Sequence, residues 1–326
     1  MCSLPKRAKT DEPSNVQLKV SSIARTWRLR PILSDDILVD SVPLVNTLVA
    51  SIKDRRLISK MISQLNQTFP LPSLQHLKRV RGNEVLIDVC AEETKHISSK
   101  LAEFEVFTQG LSLDLYPASV PAKPPRTKSQ FQSSNRIWPC NFHPDRELEK
   151  IISGEKFNGE TLDRIEDWMR KCLEHCGNTG VGCAVVDPVT NQLIALGADD
   201  RRSHPMKHAA MVAIDNVAKS QNGGAWTDEL GKTTLIKKDA LELVAQKEFE
   251  MKTGYDVYLT AEPCLMCSMA LVHSRAKRIF YGCSTPRGAL GSEGKLHTVP
   301  NLNHHYEAYA GVLETECRRA FEIMST

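Results

Sequence analysis

The 326-residue chain has no apolar run approaching the roughly 18 residues that a membrane-crossing helix requires, which excludes a helical span. Its start, MCSLPKRAKTDEPSN, carries basic residues but not the apolar core of roughly 7 to 15 residues that follows them in a secretory signal. Excess charge of one sign is also scarce. Lys and Arg number 42 against 39 Asp and Glu, and the resulting +3 permits a nucleic-acid partner without demanding one. No internal repeat and no long low-complexity tract is present. What is there is ordinary globular composition, 41% apolar and 25% charged, with length for two domains. The ten cysteines read as thiols or metal ligands of a reducing compartment, and the chain as soluble and intracellular. PKRAK (Pro5 to Lys9) has the composition of a nuclear signal, and equally of a charged terminus that does nothing.

Composition shifts at PASVPAKPPRTKSQFQSSN (Pro117 to Asn135), where Pro, Ser, Lys and Arg displace the apolar pattern. Residues 119–136 therefore read as an extended basic linker. It separates a tail (1–16) and an N-terminal domain (17–118) from a C-terminal domain (137–326). In the N-terminal domain LVNTLVASI (Leu44 to Ile52) reads as a strand, and Leu57, Ile58, Met61, Ile62 and Leu65 recur at helical spacing. EVLIDVC (Glu84 to Cys90) then reads as a strand, EETKHISSKLAEF (Glu92 to Phe104) as a helix and LSLDLYP (Leu111 to Pro117) as a strand. Strands alternating with helices predict a small α/β, ferredoxin-like domain with no catalytic motif. Arg25, Arg28, Arg30, Lys53, Arg55, Arg56, Lys78, Arg79 and Arg81, with Lys123, Arg126 and Lys128 of the linker, form a candidate phosphate-binding set. The ordinary alternative is a solvated surface.

The C-terminal domain alternates more regularly. A helix with Leu162, Ile165, Trp168, Met169 and Leu173 on one face leads into VGCAVVDP (strand), a turn and LIALG (strand). HPMKHAAMVAIDNVAKS (helix), YDVYLTA (strand), PCLMCSMALVHSR (helix) and RIFYGC (strand) follow. Between Lys219 and Gly254 the charged run KKDALELVAQKEFEMKTG reads as a surface excursion. Cys172, His175, Cys176 and Cys183 cluster in CLEHCGNTGVGC, but Cys172 and Cys176 fall on an apolar helix face and read as packing.

Cys264 and Cys267 are a C-x-x-C pair opening a helix directly after a strand. Thiolates there face unpaired N–H groups at the positive end of the helix dipole, which lowers their pKa and favours zinc ligation. His208 can supply a third ligand from the start of the preceding helix. Three protein ligands leave a fourth tetrahedral position open, as catalytic zinc does. Each motif alone has a plainer reading, a redox pair or a core histidine. Together they match the zinc deaminase pattern H-x-E…P-C-x-x-C, except that the position of the proton-shuttling Glu is Ala210.

From about Trp138 onward the chain resembles the cytidine and adenosine deaminase family. TAEPCLMCSMALVHSRAKRIFYGC (Thr260 to Cys283) and GALGS (Gly288 to Ser292) are similar to tRNA adenosine deaminases, and LNHHYEAYAGVL (Leu302 to Leu313) resembles their closing helix region. The resemblance implies an α-β-α sandwich on a five-stranded sheet, zinc on His208, Cys264 and Cys267, and no catalytic residue in this chain. Without the acid, zinc still lowers the pKa of water, but proton transfer, worth about 10² to 10⁴ in rate, is missing. Glu262 belongs to the family pattern alongside the missing Glu, and Asp215 lies about two helical turns from His208. A loose alignment puts Asp199 where the family has a base-contacting Asn.

The resemblance is to the partner subunit of heterodimeric tRNA adenosine deaminases, which convert wobble adenosine to inosine. It implies a catalytic subunit and tRNA as partners, no membrane, and a place in nucleus and cytoplasm. The N-terminal domain and linker are expected to hold tRNA phosphates. The tail AFEIMST is long enough to lie over the zinc. Two other readings stay open at this point: a deaminase of free nucleosides using an unrecognised acid, and a zinc-stabilised interaction module unrelated to RNA.

Overall fold

A computed structural model describes residues 25–89, 94–221, 223–226 and 254–323. The tail over 1–16, PKRAK, most of the excursion after Lys219 and the last three residues lie outside the described residues. In chain order the first elements are β1 (Arg30–Pro31), α1 (Asp35–Leu38), β2 (Leu44–Ser51), α2 (Ile58–Thr68), β3 (Val80–Arg81), β4 (Glu84–Asp88), α3 (Thr94–Ala102), α4 (Glu105–Gly110), β5 (Tyr116–Pro121) and α5 (Lys128–Ile137). Then come α6 (Arg146–Ser153), α7 (Gly159–His175), β6 (Gly182–Asp187), β7 (Gln192–Ala198), α8 (Ala209–Ser220), β8 (Asp256–Ala261), α9 (Leu265–His273), β9 (Arg278–Cys283), β10 (Glu307–Ala310) and α10 (Glu314–Ile323).

β2 to β5 form an antiparallel sheet in the order β3-β4-β2-β5, the ferredoxin-like arrangement expected from the alternation. The period of two along β2 serves two cores. Leu48 and Ala50 face Met61 and Leu65 of α2, Leu101 of α3 and Phe107 of α4, whereas Val49 faces Leu74, Leu86, Val120 and Trp138.

Three expectations about the N-terminal half are corrected. Residues 119–136 are not an extended linker, because they finish β5 and form most of α5. Val120 is fully buried in β5, and Thr127 caps α5 by accepting the Gln130 N–H at 3.2 Å. The fully buried Trp138 indole donates to the Lys78 carbonyl at 2.6 Å, so the N-terminal core continues past residue 136. So few apolar residues anchor this stretch that its Pro, Ser and Lys content dominated the pattern. LSLDLYP gives β5 only Tyr116 and Pro117, because Leu111 closes α4 and is buried. Finally, the segment from Arg25 leaves the N-terminal domain: β1 pairs antiparallel with β10, and the Trp27 indole donates to Glu166 at 2.7 Å.

The second sheet has the order β1-β10-β9-β8-β6-β7, with β8, β9 and β10 parallel. It carries one strand more than expected, supplied by β1. α8 and α9 cover one face through Ala209, Ala213, Leu271 and Val272; α7 and α10 cover the other through Ile165, Trp168, Met169 and Cys317. The expected sandwich is present. LNHHYEAYAGVL contains strand β10 where a closing helix region was expected: Ala308, Tyr309 and Ala310 are buried between both layers, and the helix starts only at Glu314.

Candidate metal centre and its pocket

Two helix N-termini meet above the sheet. α8 sits close on β7 because Gly197 has no side chain; a Cβ there would lie 2.5 Å from both the Ala209 carbonyl and the Ala213 nitrogen. That approach places His208, the residue preceding α8, opposite Cys264, the residue preceding α9. The Cys264 Sγ stands 3.7 Å from His208 Nδ1, and these atoms and the Cys267 Sγ all lie within 4.8 Å of one another. A tetrahedral ion with Zn–S about 2.3 Å and Zn–N about 2.0–2.1 Å needs an S···N edge of about 3.6 Å. The hydrogen bond with Cys267, then the backbone N–H groups of Cys267 and Met266 and the His208 ring, pull Cys264 down to about 5. The same bond and burial push Cys267 far up. Of the two thiols only Cys264 is lowered, first by the Cys267 thiol and then by the helix-start N–H groups, whereas the C-x-x-C spacing led to the expectation that both would be lowered.

These three side chains border a cavity of about 580 Å³. Ala210 lines it with a buried methyl group. Both carboxylates on its wall are already committed. Glu262 accepts the N–H groups of Leu290 at 2.9 Å, Ser292 at 3.0 Å and Thr285 at 3.2 Å, and the Ser292 hydroxyl. Gly288 makes room for it, since a Cβ there would sit 2.0 Å from the carboxyl carbon. Asp199 is buried, with its oxygens 2.7 and 3.0 Å from Arg201 Nε. Asp215 turns away and pairs with Lys219 at 3.0 Å. Sequence reasoning missed Arg201 and Arg287, which also line the cavity, whereas Phe321, a further wall residue, belongs to the tail expected over the zinc. Arg201 stands two residues beyond Asp199 and carried no pattern of its own; the last three residues of AFEIMST lie outside the described residues. His208, Cys264 and Cys267 form the group that could hold a metal ion among the described residues. Burial accounts for the other cluster: Cys172, Cys176 and Cys183 are buried thiols with raised pKa values, and His175 is exposed.

Most of the basic candidates are engaged by other groups of the protein. Arg25 pairs with Asp163 and Arg30 with Glu314 on the C-terminal domain. Arg56, Arg81, Arg126 and Lys128 face Asp54, Glu84, Asp36 and Glu149. Arg79 is half-buried and bonded to carbonyl groups. Arg28, Lys53, Arg55, Lys78 and Lys123 are exposed.

The model of the cytidine and deoxycytidylate deaminase zinc-binding region matches residues 158–283, and that of the tRNA-specific adenosine deaminase TAD3 N-terminal domain matches 45–138. The second match runs through Trp138, in agreement with its place in the N-terminal core. A zebrafish (Danio rerio) protein named probable inactive tRNA-specific adenosine deaminase-like protein 3 is 38% identical over 317 residues, covering 90% of this chain and 94% of its own length. The human protein of that name is 32% identical, covering 90% and 91%. The fission yeast (Schizosaccharomyces pombe) tRNA-specific adenosine deaminase subunit tad3 is 29% identical, covering 73% and 75%. With a His-Cys-Cys triad at two helix starts, a methyl group where the shuttle acid would stand and similarity to these proteins over nine-tenths of its length, the chain belongs to the family of tRNA-specific adenosine deaminase-like protein 3.

Proposed function

We propose that this chain is the non-catalytic subunit of a tRNA adenosine deaminase, which pairs with an active H-x-E subunit to convert wobble adenosine to inosine. The observation that carries the reading is Ala210. Its methyl group borders the metal-ligand triad, and the two carboxylates nearest to hand, Glu262 and Asp199, are held by other groups. A proton taken up in this pocket has no free acid to travel on, which also weighs against a deaminase of free nucleosides.

The donor set fits zinc: two sulfurs and one imidazole nitrogen at spacings a tetrahedral ion would bridge. Zinc, when bound, supplies Lewis acidity that lowers the pKa of a coordinated water to about 7. His208, Cys264 and Cys267 would hold it, and in this chain its role is to tie α8 to α9, because metal binding free energy is also folding free energy. Exposed Leu265 and Met206, near the ligands in sequence, give the face that carries the triad an apolar character suited to a partner subunit. The exposed Arg28, Lys53, Arg55, Lys78 and Lys123 supply phosphate contacts, which salt should weaken steeply. Nucleus and cytoplasm are the compartments this role requires.

The test is inosine formation at the wobble position of a tRNA transcript, using the zinc-loaded chain, the active subunit from the same cell and their mixture. Activity is expected in the mixture and none in this chain alone. An active subunit that works equally well without this chain would overturn the proposal.

A further inference from the structure

The N-terminal domain has a cleft of its own, of about 410 Å³, between the end of α2 and the segment that follows it. Leu71, Pro72 and Leu74 make an apolar wall. The Asn66 and Gln75 amides and the Arg79 guanidinium supply its polar groups.

Arg79 is the unusual member. Its Nε donates to the Leu86 carbonyl at 2.8 Å, and its Nη2 to the carbonyls of Phe69 at 2.8 Å and Ile87 at 3.0 Å. Nη1 donates to the Asn66 side-chain oxygen at 3.2 Å. All four acceptors are neutral. Arg56 and Arg81 of the same domain each hold a carboxylate, whereas Arg79 makes no ion pair with a described residue. Burial draws its pKa down to about 10, and Asp88 opposes this only through space. The hydrogen bonds fix the guanidinium in place without neutralising it. A partly desolvated cation with no carboxylate bonded to it among the described residues is costly, and an anion placed beside it relieves that cost.

The remaining surface narrows the kind of anion. Leu71, Pro72 and Leu74 give one side of the cleft an apolar surface against which a heterocycle can pack. Carboxamides can pair with the donor and acceptor edge of a base in either sense. Sequence-specific RNA recognition relies on unpaired bases splayed out in this way, and Lys78, exposed and next to Arg79 in sequence, adds positive charge to the same segment.

We propose that this cleft holds one unpaired nucleotide of an RNA strand, with its phosphate against Arg79, its base on the Leu71, Pro72 and Leu74 wall, and its edge at Asn66 and Gln75. The proposal rests on the reading of this chain as an RNA-binding subunit, and goes beyond it by assigning a pocket for a single nucleotide.

Fluorescence anisotropy with the full zinc-loaded chain tests it, using a tRNA transcript, a short single-stranded oligoribonucleotide, a duplex RNA of equal charge and an acidic peptide. Arg79→Ala removes three carbonyl contacts and can unfold the domain, so the deciding variant is Gln75→Glu, an exposed rim position that brings negative charge to the cleft. Arg55→Glu, on the open surface, is the comparison. Gln75→Glu should weaken single-strand binding about tenfold and leave duplex binding nearly unchanged, whereas Arg55→Glu should weaken both alike. Unchanged single-strand affinity in Gln75→Glu, with tRNA still bound by the parent chain, overturns the cleft and leaves the RNA-binding reading standing. An acidic peptide that binds as tightly as the single strand, and is lost equally in Gln75→Glu, overturns the nucleotide assignment. If the parent chain binds none of the RNAs, the RNA-binding reading fails first and the nucleotide pocket falls with it.

Discussion

Replacing Glu262 should unfasten the loop that closes the pocket without touching any proton-transfer chemistry. Its carboxylate accepts three backbone N–H groups and one hydroxyl, and it is almost fully buried. In Glu262→Ala the Leu290 N–H is left orphaned inside the protein, because Leu290 is itself fully buried; the Ser292 groups, on an exposed residue, can turn to water. An unsatisfied buried donor costs about 1–3 kcal/mol, and losing hydrogen bonds to a charged group adds a similar amount. A net loss of about 3 kcal/mol is expected, after allowing for the carboxylate's own relief from desolvation. Glu262→Gln keeps the volume but turns an amide N–H₂ toward backbone donors, so it should recover only part of the loss. Urea unfolding of both variants measures this, and hydrogen exchange at Leu290 localises it. A loss under about 1 kcal/mol in Glu262→Ala, with Leu290 still protected, would refute the view that this carboxylate is committed to the loop.

Further expectations follow from the same contacts. Cys267→Ser should release zinc and lower the thermal midpoint by roughly 10 °C at zinc concentrations far above the dissociation constant, and a chelator should reproduce the shift in the parent chain. Trp138→Ala should cost about 3–5 kcal/mol while leaving zinc content unchanged, because the ring fills the N-terminal core and not the metal domain; calorimetry with metal analysis separates the two. His297 is buried and its pKa is lowered from 6.5, mainly by desolvation. The unfolded chain therefore takes up this proton first, and stability is lost as pH falls through about 6.5. His297→Phe should flatten that decline, read as the difference between the two proteins' melting profiles.

The chemistry was legible in the sequence where it rested on spacing. C-x-x-C after a strand and a histidine opening a helix have almost one geometric meaning, and the triad assembled as read. Ala210 was equally plain, because an absent acid needs no coordinates. What the sequence hid depended on distant partners. Nothing around Arg30 and Pro31 announces a strand, since their pairing is with β10 at the other end of the chain. The stretch before Trp138 looked like a linker because a half-exposed helix with one anchoring ring has little periodicity to show. The basic residues illustrate the limit of counting charges: Arg30 and Arg81 are ion-paired, and Arg79 lies half-buried in a cleft wall.

The most direct measurement is metal analysis and wobble-inosine formation on one preparation of this chain alone, alongside Cys264→Ser. Expected are one zinc per chain, none in the variant, and no inosine from either. Inosine from the zinc-loaded chain that disappears in Cys264→Ser would contradict the central claim that this pocket keeps its metal ligands and has lost its proton shuttle.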